Sequence, residues 1–282
     1  MGHSSYEMVS RSLDARNRCP RYVILRRPGR FPPEPCQSAT YTLQVSHGVP
    51  MRLAVIADVH ADIHALRDAL AQAERLGCTA VVCAGDLVGY GLFPMQVIDL
   101  LRERKIPCVR GNHDRWAEDP NMAGDSCGLL SDDAMAFLAG LPRLWSKVID
   151  GVRVTVCHGT PKSDMDSVVP GMATADDVRR WLAAVGADVL IVGHSHAPFV
   201  LSDLGGLIVN PGALLRDRAG GAMPAPVIFD PQKGTFVQAQ AAPRGTFGIL
   251  ELPAKHFTIH LASDGSEVPV PVVKTGVTDR RR

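Results

Sequence analysis

From Met51 onward, short apolar runs alternate with amphipathic segments, and run after run ends in an aspartate, a histidine or an asparagine. Apolar stretches of strand length separated by helix-periodic segments are the mark of an α/β arrangement. The candidate strands are residues 53–57, 80–84, 107–110, 153–157, 189–192 and 207–209. Between the first two lies a helix with Ile63, Leu66, Ala69, Leu70 and Ala73 on one face and Gly77 as its stop. A second helix starts after the N-cap Thr174, with Asp176 and Asp177 in its first turn, and ends at Gly186. Ser131 caps another that carries Ala134, Met135, Phe137 and Leu138. After Asn210 the helices cease, and the runs 227–229, 247–252 and 257–261 are expected to be antiparallel strands that close the sheet.

Charge and cysteine usage narrow the function classes. With 30 Lys+Arg against 29 Asp+Glu the chain has no dominant basic stripe, so it carries no specific nucleic-acid signal, because such binding rests on clustered cations. No apolar run reaches the roughly 20 residues of a spanning helix, so no membrane partner is expected. The seven cysteines are odd in number and irregularly spaced, several within apolar runs, as buried thiols in a reducing cytoplasm would be. Residues 1–50 are basic and interrupted by Pro28, Pro32, Pro33 and Pro35, and they lack the apolar stretch of a secretory signal. They read as a disordered leader or as a misassigned start ahead of Met51. Residues 51–262 then form the working domain and residues 263–282 a flexible tail.

The residues that end the strands carry the chemistry. Asp58 and His60 follow the first strand, Asp86 the second, Asn112, His113 and Asp114 the third, His158 the next, and His194 and His196 the one after. In α/β sheets such ends converge on the edge where ligands bind. Imidazoles, carboxylates and an amide oxygen without thiolate form a mixed N/O set, suited to a pair of divalent transition ions such as Mn, Fe, Zn or Ni. His60 and His64 also stand four apart like zinc ligands on a helix face, but His64 reads as a packing residue.

The blocks Asp58-x-His60, Gly85-Asp86, Gly111-Asn112-His113-Asp114, His158 and Gly193-His194-Ser195-His196, in that order, resemble the calcineurin-like metallophosphoesterase superfamily, and above all its small bacterial single-domain members. The resemblance implies a four-layer α-β-β-α sandwich of two mixed sheets, which the residues alone do not separate from a doubly wound sheet. It also implies that Asp58, His60, Asp86 and His196 bind one metal and that Asp86, Asn112, His158 and His194 bind the other, with Asp86 as the bridge. The activity implied is hydrolysis of a phosphodiester or phosphomonoester by a metal-bridging hydroxide, with a nucleotide-like small molecule among the expected substrates. His113, adjacent to a ligand but outside the ligand set, is the expected general acid, and Asp114 is expected to hold its imidazole. Two other readings stay open: a non-catalytic interaction scaffold of the same fold, and a dinuclear hydrolase of a non-phosphate ester. Asp62 departs from the family pattern, and is expected either to face the metals or to cap the following helix. Substrate walls are expected from the loops 92–96, 118–130, 160–171 and 216–245. Oligomeric state is not legible in the sequence.

Overall fold

The computed structural model describes residues 50–119, 129–203, 206–216, 227–230, 235–238, 245–270 and 272–275. All of its elements belong to one compact unit spanning residues 45–282. In chain order these are β1 (Met51–Ile56), α1 (Ile63–Arg75), β2 (Ala80–Cys83), α2 (Pro94–Glu103), α3 (Asn112–Trp116), α4 (Asp132–Ala139), β3 (Trp145–Ile149), β4 (Val152–Val156) and α5 (Ala175–Val185). There follow β5 (Val189–Ile191), β6 (Phe199–Asp203), β7 (Gly206–Asn210), β8 (Val227–Asp230), β9 (Thr235–Gln238), β10 (Thr246–Leu252), β11 (His256–Leu261), β12 (Glu267–Val268) and β13 (Val272–Lys274). Of the expected leader, residues 1–50, all but Pro50 lie outside the described residues, as do most of the expected loops 118–130 and 216–245.

One sheet has the order β12-β11-β10-β1-β2 and the other β13-β6-β7-β5-β4-β3. Both are mixed: β1 runs parallel to β2 and antiparallel to β10, while β5 runs parallel to β4 and β7 and β6 runs antiparallel to β7. The period-2 alternation of β1 shows why two sheets are needed. Leu53 and Val55 enter a core shared with Val154, Val156, Val189, Ile191 and Val209 of the other sheet. Ala54 and Ile56 point the opposite way, into a core built with Leu66, Leu70, Val97, Ile98 and Leu138 of α1, α2 and α4. On the far side, Val178 and Leu182 of α5 pack on Leu190, Leu201 and Ile208. Helix, sheet, sheet and helix therefore form four layers, each sheet with both faces covered, and the sandwich expected from the family resemblance is the observed architecture.

The caps match the sequence reading. Thr174 and Asp177 form a reciprocal capping box at α5, which ends on Gly186 in the left-handed region (φ 60°). Ser131 caps α4 through the Ala134 N–H. Four expectations are corrected. The run 107–110 is not a strand: Pro107 lacks an N–H, the chain makes only the single bridge Cys83 to Cys108, and the Arg110 N–H turns away to the Pro142 carbonyl. The loop expected at 92–96 contains the start of α2, where Pro94 fits the first helical turn. Residues 227–230 do not close the main sheet but form a separate hairpin with 235–238. The expected tail beyond 262 holds β12 on β11 and β13 on β6, so both sheets extend past Ala262. No described helix is long and apolar enough to cross a membrane.

Candidate metal centre

The ends of β1, β2 and β5 deliver their polar residues to one edge through strained turns. Asp58, His60, Asp86, His194 and His196 all have φ between 47° and 66°, in the left-handed region that non-glycine residues rarely occupy. The turns are stitched together: Asp58 N–H donates to the Gly85 carbonyl (3.0 Å) and His60 N–H to the Asp86 carbonyl (2.9 Å). Gly111 permits the closest approach, since a Cβ there would fall on the Asp86 carboxylate and backbone.

The side chains converge. The His60 Nε2 lies 3.0 Å from His196 Nε2 and 3.7 Å from Asp86 Oδ2, and His196 Nε2 lies 3.3 Å from Asp58 Oδ1. On the other side of Asp86, His158 Nε2 is 3.3 Å from Oδ2 and 3.0 Å from Asn112 Oδ1, and His194 Nδ1 is 2.9 Å from the same amide oxygen. Asp58, His60 and His196, and again Asp58, Asp86 and His158, form clusters that could hold a cation. The structure thus brings Asp58, His60, Asp86, Asn112, His158, His194 and His196 into one place, with Asp86 between the two halves.

The outer nitrogens explain the orientation of the inner ones. His60 donates Nδ1–H to the Val88 carbonyl (3.2 Å), His158 donates Nδ1–H to the Ala84 carbonyl (2.8 Å), and His194 donates Nε2–H to the Met165 carbonyl (3.0 Å). A carbonyl only accepts, so in the neutral rings the inward nitrogen carries a lone pair, the arrangement a metal-ligating histidine needs. Asn210, 0% exposed, clamps the loop that carries His194 and His196 by donating to the Gly193 carbonyl (2.8 Å) and the Ser195 hydroxyl (3.1 Å). Its side-chain oxygen accepts from the Gly212 N–H (2.8 Å), which closes the turn after β7.

Electrostatics favour cations here. Asp58 and Asp86 are at most 1% exposed. Burial would raise the Asp86 carboxyl, but the charges of His158, then His60, hold it well below the carboxylate range. Burial likewise lowers His196, and the Asp58 carboxylate outweighs it and raises the imidazole above its ordinary range. His158, despite burial, is pushed up to about 10 by Asp86, whereas burial takes His60 down to about 4. Buried carboxylates that draw protons onto neighbouring imidazoles form a site demanding positive charge, and divalent ions displace such protons on binding. The donor set fits two such ions.

His113 sits against this cluster: its ring is 4.8 Å from His60, 4.7 Å from Tyr90 and 4.9 Å from Trp116. Its backbone N–H donates to Asp86 Oδ1 (2.9 Å). Asp114 does not hold the His113 imidazole, and that expectation is corrected. Its fully buried carboxylate accepts from the Leu87, Val88 and Gly111 N–H groups (2.8, 3.2 and 2.9 Å), tying the Asp86 turn to the Asn112 turn. Chain direction decides this, because α3 carries residues 113 and 114 to different faces.

The sequence profile of the calcineurin-like phosphoesterase superfamily domain matches residues 51–234. The chain belongs to this superfamily. An uncharacterized protein of Methanocaldococcus jannaschii is 31% identical over 183 residues, 60% of this chain and 72% of that one. Among solved structures, a metallophosphoesterase from Sphaerobacter thermophilus shares 25% identity at a TM-score of 0.54, over 79% of this chain and 89% of that one. A hypothetical protein from Pyrococcus horikoshii OT3 shares the fold at 17% identity and a TM-score of 0.58, over 78% and 89%. As in its superfamily, the chain is a metal-dependent phosphoesterase in type.

Asp62 resolves to a helix cap. One carboxylate oxygen accepts from the Ala65 N–H (2.9 Å) at the start of α1, and the other accepts from the Arg216 N–H (3.2 Å). His64 packs edge-on against Phe93 at 5.6 Å. Asp62→Ala is expected to cost about 1 kcal/mol, the worth of a lost cap, and to lower the melting temperature by about 2–4 °C. Turnover of phosphoesters should stay unchanged, and a loss of activity at unchanged melting would return Asp62 to the metal centre.

Proposed function

We propose that this chain hydrolyses phosphodiesters in preference to phosphomonoesters, with two divalent ions as cofactors, Mn foremost, and His113 as the proton donor. The observation that carries the reading is the intact donor set around Asp86 with the stacked His113 ring beside it. Asp58, His60, Asp86 and His196 would hold one ion, and Asp86, Asn112, His158 and His194 the other. When bound, the ions supply Lewis acidity toward the phosphoryl oxygens and acidify a nearby water. Mixed oxygen and imidazole donors favour Mn or Fe over thiophilic ions.

The chain's own residues do the rest. Tyr90 and Trp116 hold the His113 ring between them, so that it can pass a proton to the leaving oxygen without first being ordered. The preference for diesters is supported by Arg115, the cation next to this turn, whose Nε and Nη2 are engaged by Asp164 (2.8 and 3.1 Å). It is therefore committed elsewhere, and not spare for the second negative charge of a monoester. The substrate is a small phosphoester, nucleotide-like in class. Cytoplasmic residence is supported by Cys83 and Cys108, buried free thiols that face each other across a bridge.

The test is hydrolysis of bis(p-nitrophenyl) phosphate and p-nitrophenyl phosphate by metal-stripped protein with Mn, Fe, Zn, Ni or Mg restored in turn. Diester turnover that returns only with a transition ion is the expected result. Silence with every ion, in protein that binds the ions, would overturn the hydrolase reading in favour of an interaction scaffold. Acyl-ester turnover without phosphoester turnover would assign a different bond.

A further inference from the structure

The carbonyls that orient the three imidazoles differ in what stands behind them. Ala84 and Val88, which receive His158 and His60, are fully buried, and the Val88 N–H is itself tied to the buried Asp114 carboxylate (3.2 Å). Met165, whose carbonyl receives His194 (3.0 Å), stands instead in the loop after β4 and is 46% exposed. Contacts within that loop give it its shape. Thr160 and Ser163 exchange backbone hydrogen bonds (2.8 and 3.2 Å), and the Ser163 hydroxyl accepts from the Met165 N–H (3.1 Å). Residues 163–166 also pass so close to Gly159 that a Cβ there would strike the Ser163 and Asp166 carbonyls. The loop is tied to α3 through Asp164, which Arg115 grips with Nε and Nη2 (2.8 and 3.1 Å).

These contacts close a ring. α3 carries both Asn112, whose amide oxygen meets His194 Nδ1 (2.9 Å), and Arg115 one turn further on. Arg115 holds Asp164, the neighbouring Met165 carbonyl holds His194 Nε2, and His194 returns to Asn112. A two-pronged guanidinium–carboxylate pair fixes separation and orientation together. It therefore sets where the Met165 carbonyl stands relative to α3, and with it the direction of His194 Nδ1. We infer that Arg115 and Asp164 are positioning residues for one ion, the one assigned to Asp86, Asn112, His158 and His194, and that their pair sets its affinity without touching it. The inference rests on the two-ion reading above. The Arg115 side chain is 43% exposed, and pairs this exposed add little to folding stability. Groups that orient metal ligands weigh more, typically about 10- to 100-fold in affinity.

Charge alone predicts a different pattern. Removing the Arg115 cation would tighten the hold on a nearby dication, whereas removing the Asp164 anion would weaken it. Loss of positioning weakens it in both cases, so the sign of the Arg115 effect separates the two causes.

The experiment is titration of Mn(II) into the metal-stripped full chain by calorimetry and equilibrium dialysis, with melting curves recorded beside it. Asn112→Ala identifies the binding step that belongs to this half of the centre. That step is expected to weaken by about tenfold or more in Arg115→Gln and in Asp164→Asn, with the other step nearly unmoved. The melting temperature should shift by no more than a few degrees. The double variant should bind no more weakly than the worse single one, because both substitutions break the same pair. Arg115→Lys should recover part of the affinity, and Arg180→Gln on α5 should leave it unchanged. Tightening in Arg115→Gln, weakening in one variant alone, or no change in either overturns the positioning role while two bound ions keep the centre. A wild type that binds one ion, lost in Asn112→Ala and weakened by both substitutions, supports the pair and overturns the two-ion reading instead. One ion that none of these substitutions moves overturns both.

Discussion

Asp86→Ala is expected to abolish metal-dependent hydrolysis, with a loss of about 1,000-fold or more in kcat/KM. The Asp86 carboxylate reaches both halves of the centre, 3.7 Å from the His60 Nε2 and 3.3 Å from the His158 Nε2. No neutral side chain can hold two dications against their mutual repulsion. Losing several kcal/mol of charge stabilisation there corresponds to about three decades of rate or more. The bound-metal content should fall below that of the wild type. The His113 N–H also loses its acceptor, so melting curves are needed to show that the variant is folded. Asp86→Asn keeps an acceptor for that N–H while removing the charge, and is expected to lose activity nearly as fully. Substantial turnover in a folded Asp86→Asn would sink the bridging role.

His113→Asn is expected to separate substrates by leaving group. A positioned acid contributes roughly 100- to 10,000-fold where the departing oxygen needs a proton, so an alkyl phosphodiester should lose activity on that scale. p-Nitrophenolate departs without a proton, and bis(p-nitrophenyl) phosphate turnover should fall only a few-fold. His113 also lies within reach of His60 and Asp86 as a candidate third donor, so metal content is measured beside the rates, and content held at the wild-type level is expected if the ring serves only as proton donor. Equal losses for both substrates would reassign His113 from proton donor to a residue that merely packs the His60 ring.

The convergence of these side chains was legible because strand ends in such a fold meet at one edge, and because each end carried a residue with a lone pair to offer. Glycines beside them were legible as relief for tight turns, and Gly111 against Asp86 bears this out. Asp114 was misread because adjacency in sequence says nothing about which way a carboxylate points, and here backbone N–H groups of two different turns captured it. The clamp that Asn210 places on the His194 loop was not legible, because Gly193 and Ser195 are remote from it in sequence. The strand expected at 107–110 failed on a local rule, the missing N–H of Pro107, that outweighed its apolar composition.

The sequence by itself determined the alternation of strands and helices, the caps at Ser131 and Thr174, and the identity of the residues at the strand ends, since these follow from periodicity, local hydrogen bonding and side-chain chemistry. Only the tertiary structure decided that two sheets pack face to face, that β12 and β13 extend them past Ala262, and that His60, His158 and His194 each turn a chosen nitrogen inward. Those outcomes depend on pairing and burial between segments far apart in the chain. No local pattern encodes which carbonyl will meet an imidazole's other nitrogen, and that meeting orients the centre.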